Sequence, residues 1–160
     1  MNTRLARQED APAIAALVTQ LGYDAAPHDV ADRLARLLMR PGQRFIVAEA
    51  DGRLLGWVHV ELADYVDSGT YAQIAGLVVD RTHRRQGIGA ALMADAETWA
   101  RQQGCPMMRL RSSSTRTRAH RFYEGLGYAN VKTQYSFVKP LDARGAEAAA
   151  RLVPQVEPES

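Results

Sequence analysis

The chemistry most readable in this chain lies in Arg84-Arg85-Gln86-Gly87-Ile88-Gly89-Ala90. The run follows a compact apolar stretch, Ile74 to Val79, that reads as a strand, and it opens a segment with helical apolar spacing. A helix start leaves backbone N–H groups unpaired and pointing outward, and the helix dipole favours negative charge there. Gly87 and Gly89 allow close backbone approach and positive φ. Arg84 and Arg85 add charge-assisted donors. The loop therefore predicts a phosphate-bearing ligand; taken alone, it reads equally as a ligand-free glycine turn.

The elements that must position this loop are legible from periodicity and turn chemistry. Residues 3–7 alternate as a first strand. Asp10 and Pro12 start a helix carrying Ile14, Leu17, Val18 and Leu21, which Gly22 ends. A second helix fits 27–39, with Val30, Leu34, Leu37 and Leu38 on one face and Pro41-Gly42 as its stop. Strands follow at 45–50 and 53–62, joined by the two-residue turn Asp51-Gly52. After a polar loop at 64–69, another strand runs over 71–79. The loop helix covers 87–103, with Ile88, Ala91, Leu92, Ala96, Trp99 and Ala100 on its apolar face and Gly104 beyond its end. A strand at 107–111, a helix at 115–126 and two last strands at 128–133 and 135–139 complete the expected order. The tail is expected to hold a short helix around 147–152 and to be disordered from Pro154. The fold class is α/β, a mixed sheet with helices on both faces. The expected organisation is one domain over 1–140 followed by a tail over 141–160.

Composition narrows the functional classes. The 160 residues carry 46% hydrophobic and 24% charged residues, as an ordinary globular domain does. Cys105 is the only cysteine, so no internal disulfide is expected, and no apolar run is long enough to span a bilayer. With no apolar leader core after Met1, a cytoplasmic location is expected, without membrane association. Net charge is only +2, which argues against bulk polyanion binding. Yet nine arginines lie between Arg81 and Arg121 against two acids, Asp95 and Glu97. That stretch is either a solvated surface or a phosphate-recognition surface, and the glycine loop inside it favours the second.

The element order and two motifs resemble the GNAT superfamily of acyl-CoA-dependent N-acyltransferases over roughly residues 3–139. One motif is Arg84-x-x-Gly87-x-Gly89 after Leu77-Val78-Val79-Asp80. The other is Ala119-x-x-Phe122-Tyr123-x-x-x-Gly127-Tyr128. The resemblance implies a mostly antiparallel sheet with a splayed parallel pair, here 71–79 and 107–111, that admits the pantetheine arm of coenzyme A. It implies acetyl-CoA as co-substrate, with no metal. Its pyrophosphate would meet Gln86, Gly87, Ile88, Gly89 and Ala90 beside Arg84 and Arg85, and its arm would meet the main chain of Leu77, Val78 and Val79. Tyr123 is similar to the family's general acid and would lie near the sulfur. An asparagine is frequent in the family where Arg116 stands; Arg116 either contacts the phosphates or faces solvent.

The implied reaction is direct attack of a neutral amine on the thioester in a ternary complex. A lysine-like amine has a pKa of ~10.4, so a proton must leave first. The oxyanion needs a donor, expected at the backbone N–H of Val78 or Val79. Histone-type relatives use a glutamate on the fourth strand as base; by resemblance that position is Gln73, and an amide is no base. On the preceding strand Trp57, His59 and Glu61 share one face by period two, expected to line the active-site cleft, and Val58, Val60 and Leu62 share the other, expected to meet the core helices. Glu61 is the preferred base and His59 the next; both also read as ordinary solvated strand residues. Asp64, Tyr65 and Asp67 are expected near the acceptor, whose loops would be 21–39 and 63–71.

The leading expectation is thus an acetyltransferase acting on a small-molecule or peptide amine, with no nucleic-acid partner and a possible homodimer. The alternative is a CoA-binding regulatory module without turnover, which Gln73 favours. Nucleic-acid binding by the arginine stretch ranks third and predicts steep salt dependence.

Overall fold

A computed structural model describes residues 1–152. It contains strands β1 (Asn2–Leu5), β2 (Gln43–Ala50), β3 (Arg53–Tyr65), β4 (Gly69–Val79) and β5 (Met108–Leu110). Its helices are α1 (Ala11–Thr19), α2 (Pro27–Met39), α3 (Ile88–Gln102), α4 (Thr117–Gly125) and α5 (Ala143–Ala150). The chain forms two compact units, Met1–Ser113 and a second from Ser114 onward.

The first unit is a five-stranded sheet in the order β1-β2-β3-β4-β5. Its first three pairings are antiparallel and β4–β5 is parallel. The β2–β3 turn has positive φ at both Asp51 (51°) and Gly52 (73°), as a two-residue hairpin requires. Two bulges then reset the pairing, one at Ala48/Glu49 against β3 and one at His59/Val60 against β4. The first leaves Leu55 as the extra residue, the second Ala75.

Alternation along the strands divides the apolar residues between two layers. Phe45, Val47, Trp57 and Val78 form one core with Ile14 and Leu17 of α1 and Val30 and Leu34 of α2. On the other face Val58 and Val60 are fully buried, and α3, which buries Leu92, Met93 and Ala96, packs on β3. Val58 and Val60 therefore meet a core helix as expected, but Trp57, expected on a cleft face, lies under α1 and α2. Gly76 makes this possible: a Cβ there would stand 2.8 Å from the Trp57 ring.

Arg4 ties the strand edge to the start of α1. It makes two bonds to the buried Asp10 carboxylate, at 2.8 and 2.9 Å, and a third to Glu49 at 2.9 Å. Those bonds hold the Asp10 carboxyl below its ordinary value. Their contribution is present at neutral pH and is lost as acid protonates Asp10.

In the second unit, Asp142 caps α5 through a bond from the Gly145 N–H at 2.7 Å. The tail helix lies earlier than expected because this cap sets its start. The strands expected at 128–133 and 135–139 do not form, and residues 128–140 have no regular structure. Alternation alone does not make a strand, which needs an edge to pair with, and among the described residues none pairs with this segment. Tyr135 and Phe137 are each 92% exposed as a result. The disorder expected from Pro154 lies outside the described residues.

Candidate active site

The glycine loop is built as an open anion cradle. Asp80 ends β4 and accepts bonds from the Thr82 N–H and hydroxyl at 2.9 and 2.8 Å. These bonds lower its pKa and fix a short turn over Arg81–His83. Arg85 then takes φ 62° and Gly87 φ 79°, so the chain turns sharply before α3. Ile88 is buried and anchors the helix, while Arg84, Arg85, Gln86 and Gly87 are exposed. No side chain caps α3. The N–H groups of its first turn, at Ile88, Gly89 and Ala90, are thus left to an external acceptor. A Cβ at Gly87 would meet nothing within 4 Å.

The strand leading into the loop is open along its far edge. β4 pairs with β5 only over Ala72–Ile74, opposite Met108–Leu110. Leu77, Val78 and Val79 pair with β3 on one side and have no place in the β5 ladder. Alternate main-chain groups there remain available to an extended ligand lying beside β4. Ala75, the bulged residue, is exposed at the point of departure.

A polar row crosses the sheet beside this opening. Gln43 pairs with Glu61, Glu61 with Gln73, and Gln73 with Arg109. All four stand on the face that carries Trp57 and Phe45, at the end away from the α1–α2 core, and all are half-buried. The Gln43 amide donates to Glu61 Oε2 at 3.3 Å and its oxygen meets His59 Nε2 at 2.5 Å. His59 must donate to that oxygen, which leaves its Nδ1 as the unprotonated nitrogen. Burial lowers the His59 pKa, partly opposed by the Glu61 charge, so the ring is neutral at pH 7. Gln73 thus faces a carboxylate across one ladder step, about 5 Å between Cα atoms.

Beyond the row, Tyr71 is buried and stacks on Tyr65 at 5.6 Å, and the Arg109 guanidinium lies 4.4 Å above the Tyr71 ring. Asp64, expected near the acceptor, turns to the other face and accepts from Thr70 at 2.8 Å. Gln43, Tyr71 and Arg109 belong to no motif that marks them in the sequence. Parity with Phe45 and Gln73 is the signal that groups them, but the register needed to use it comes from the bulges.

The second unit carries Tyr123, half-buried on α4 and edge-on to Phe122 at 5.2 Å and to Tyr128 at 6.1 Å. Burial raises its pKa, with Arg116 pulling weakly the other way, so the phenol keeps its proton at neutral pH. Arg116 is exposed at the start of α4. Gly127, at φ 95°, lets the chain reverse so that the Tyr128 N–H bonds the Tyr123 carbonyl at 3.0 Å.

The model of the acetyltransferase (GNAT) family matches residues 11–128. The chain belongs to the GNAT acetyltransferase family. It is an acyltransferase with the mixed sheet of that family. An aminoglycoside N(6')-acetyltransferase type 1 of Klebsiella aerogenes is 31% identical over 116 residues, 71% of this chain and 76% of that protein. The aminoalkylphosphonate N-acetyltransferase of Salmonella typhimurium is 30% identical over 140 residues, 86% of this chain and 90% of that protein. Among solved structures, the aminoglycoside 6'-N-acetyltransferase of Acinetobacter haemolyticus superposes with a TM-score of 0.78 at 20% identity, covering 89% of this chain and 100% of that one. A further GNAT-fold enzyme, AAC(6')-Iy, was solved with a bisubstrate analogue containing CoA; its TM-score is 0.78 at 21% identity, covering 86% and 97%. No helix among the described residues is long and apolar enough to cross a membrane.

Proposed function

We propose that this GNAT-family chain moves an acetyl group from acetyl-CoA to a primary amine of a small-molecule acceptor, by direct attack in a ternary complex. The observation that carries the reading is the uncapped start of α3, with Gly87 in the left-handed region, at the end of a strand whose outer edge is open. That arrangement suits a pyrophosphate at Gln86 to Ala90, flanked by Arg84 and Arg85, and an extended arm along Leu77 to Val79. Relatives named for aminoglycosides and for aminoalkylphosphonates support a small amine as acceptor. The reading takes residues 1–140 as one catalytic domain.

Glu61 is the proposed base. Its carboxylate takes the proton of the acceptor ammonium, with Gln43 holding one of its oxygens. The freed nitrogen attacks the thioester carbonyl carbon, and a backbone N–H at Val78 or Val79 receives the oxyanion charge. As the C–N bond forms and the C–S bond breaks, the departing thiolate takes the Tyr123 phenol proton, and the second proton, shed by the new amide nitrogen, returns through solvent to the phenolate while Glu61 gives its own proton to bulk water. A phenol held protonated by burial suits that role. Tyr123→Phe should lower kcat by about 10²-fold while CoA affinity stays within twofold, as read by steady-state turnover and calorimetry. Unaltered turnover would remove Tyr123 from the acid role.

Thiol release from acetyl-CoA across a panel of amines tests the reading as a whole. Release that depends on the amine is expected. Tight CoA binding without release by any amine would establish the alternative, a CoA-binding module.

We also infer a homodimer contact on residues 131–141, where Val131, Tyr135, Phe137 and Leu141 are all exposed within one unpaired stretch. Sedimentation of the parent should give twice the chain mass and Tyr135→Glu/Phe137→Glu the single mass. A monomeric parent would overturn the contact.

A further inference from the structure

Among the described residues, Arg109 is a cation without an ion-pair partner at the proposed acceptor site. It is half-buried, and its guanidinium rests 4.4 Å above the buried Tyr71 ring, which Tyr65 supports from stacking distance. This aromatic platform holds the head in place without consuming its in-plane N–H donors. The only acidic side chain in the same cross-strand row is Glu61, two ladder steps away with Gln73 between. Two steps span about 10 Å. An ammonium at Glu61 and an oxyanion at Arg109, each held at about 2.8 Å, leave room between them for a short alkyl chain.

We infer that the acceptor is a small zwitterionic amine, with its nitrogen at Glu61 and a carboxylate or phosphate-type group at Arg109, and that Arg109 sets this specificity. The inference rests on the acetyltransferase reading and assigns its substrate class. A dicationic amine would place its second charge against Arg109 and is disfavoured. Gln73 contributes a neutral side chain between the two poles, where a second carboxylate would itself pair with Arg109 and cancel the anion site.

The test compares β-alanine, phosphoethanolamine, propylamine and 1,3-diaminopropane as acceptors for the parent, Arg109→Gln and Arg109→Lys. The parent should prefer the better of the two anionic amines over propylamine by at least about tenfold in kcat/KM, and diaminopropane should be poorest. Which anionic amine leads distinguishes a carboxylate site from a phosphate-type one. In Arg109→Gln, KM for the preferred anionic amine should rise about 10- to 100-fold, as loss of a charged hydrogen bond implies, and by far more than KM for propylamine. Arg109→Lys should recover part of the preference, and a parent-like thermal melt and CoA affinity certify that both variants fold. Equal use of propylamine and the anionic amines by the parent, or an unmoved KM in Arg109→Gln, would overturn the inference while leaving the acetyltransferase reading intact. Failure of all four amines in the parent would overturn the inference; the acetyltransferase reading falls only if the wider amine panel also gives no thiol release while CoA binds tightly.

Discussion

Gly87→Leu is expected to weaken CoA binding by at least about 100-fold and to leave the chain folded. Two separate features set the size of the effect. The first is the ligand side. The N–H groups of Ile88, Gly89 and Ala90 have no capping side chain, so they are the donors a pyrophosphate would use, and bonds to a charged group contribute about 1.5–3 kcal/mol each. A leucine side chain at residue 87 would stand in the open space before them, where a Cβ meets no atom within 4 Å. Losing two such bonds is a factor of about 100 or more in Kd. The second is the protein side. A φ of 79° strains any L residue with a side chain, at about 1–2 kcal/mol, which lowers the melting point without unfolding the chain. Calorimetric titration with CoA, alongside a thermal melt, separates the two. Parent-like CoA affinity in Gly87→Leu would remove the loop from the binding site.

Glu61→Gln is expected to lower kcat by about 10²- to 10⁴-fold with CoA affinity unchanged, the range for loss of a general base. The replacement keeps the shape of the side chain and a polar partner for Gln43, so the row should survive. It removes the group that takes the ammonium proton. What turnover remains must use amine already deprotonated in solution. It should therefore rise roughly tenfold per pH unit toward the amine's pKa of ~10.4, where the parent enzyme is flatter. His59→Gln is the comparison. Half-buried and neutral, with Nδ1 unprotonated, His59 is the rival base beside the row. If His59→Gln lost the larger factor and Glu61→Gln kept parent-like rates, the base would be the imidazole and Glu61 its electrostatic neighbour.

The two predictions differ in how much of their basis could be read from residues alone. The cradle is local. Glycine at residues 87 and 89, the arginines before them and helical spacing after them all act within one loop; the structure puts Arg85 and Gly87 in the left-handed region, whereas Gly89 lies in the first turn of α3. Glu61 was legible only as one of two candidates on a strand face. Its position opposite Gln73 depends on the β3–β4 hairpin register. The bridge through Gln43 depends on a bulge: a two-residue turn at Asp51-Gly52, continued without interruption, pairs Gln43 with Val60 and points it to the other face. The extra residue Leu55 shifts the pairing by one and brings Gln43 to Glu61. Trp57 shows the same limit. Parity grouped it with His59 and Glu61, yet α1 and α2 cover one end of that face and leave the other open.

The C-terminal segment marks the opposite failure. Residues 128–139 carry strand-like alternation but form no strand, because pairing is a property of two segments. The mixed α/β class, nearly all elements of the first unit, the glycine turn before α3 and the tyrosine on α4 are legible in the residues alone. These follow from short-range rules: periodicity, caps, and glycine where φ must be positive. Register and packing settle which polar side chains share a row, that Trp57 is core, and that Arg109 stands over Tyr71 and joins no ion pair among the described residues. Those outcomes hang on register, and a single bulged residue reverses every side chain beyond it.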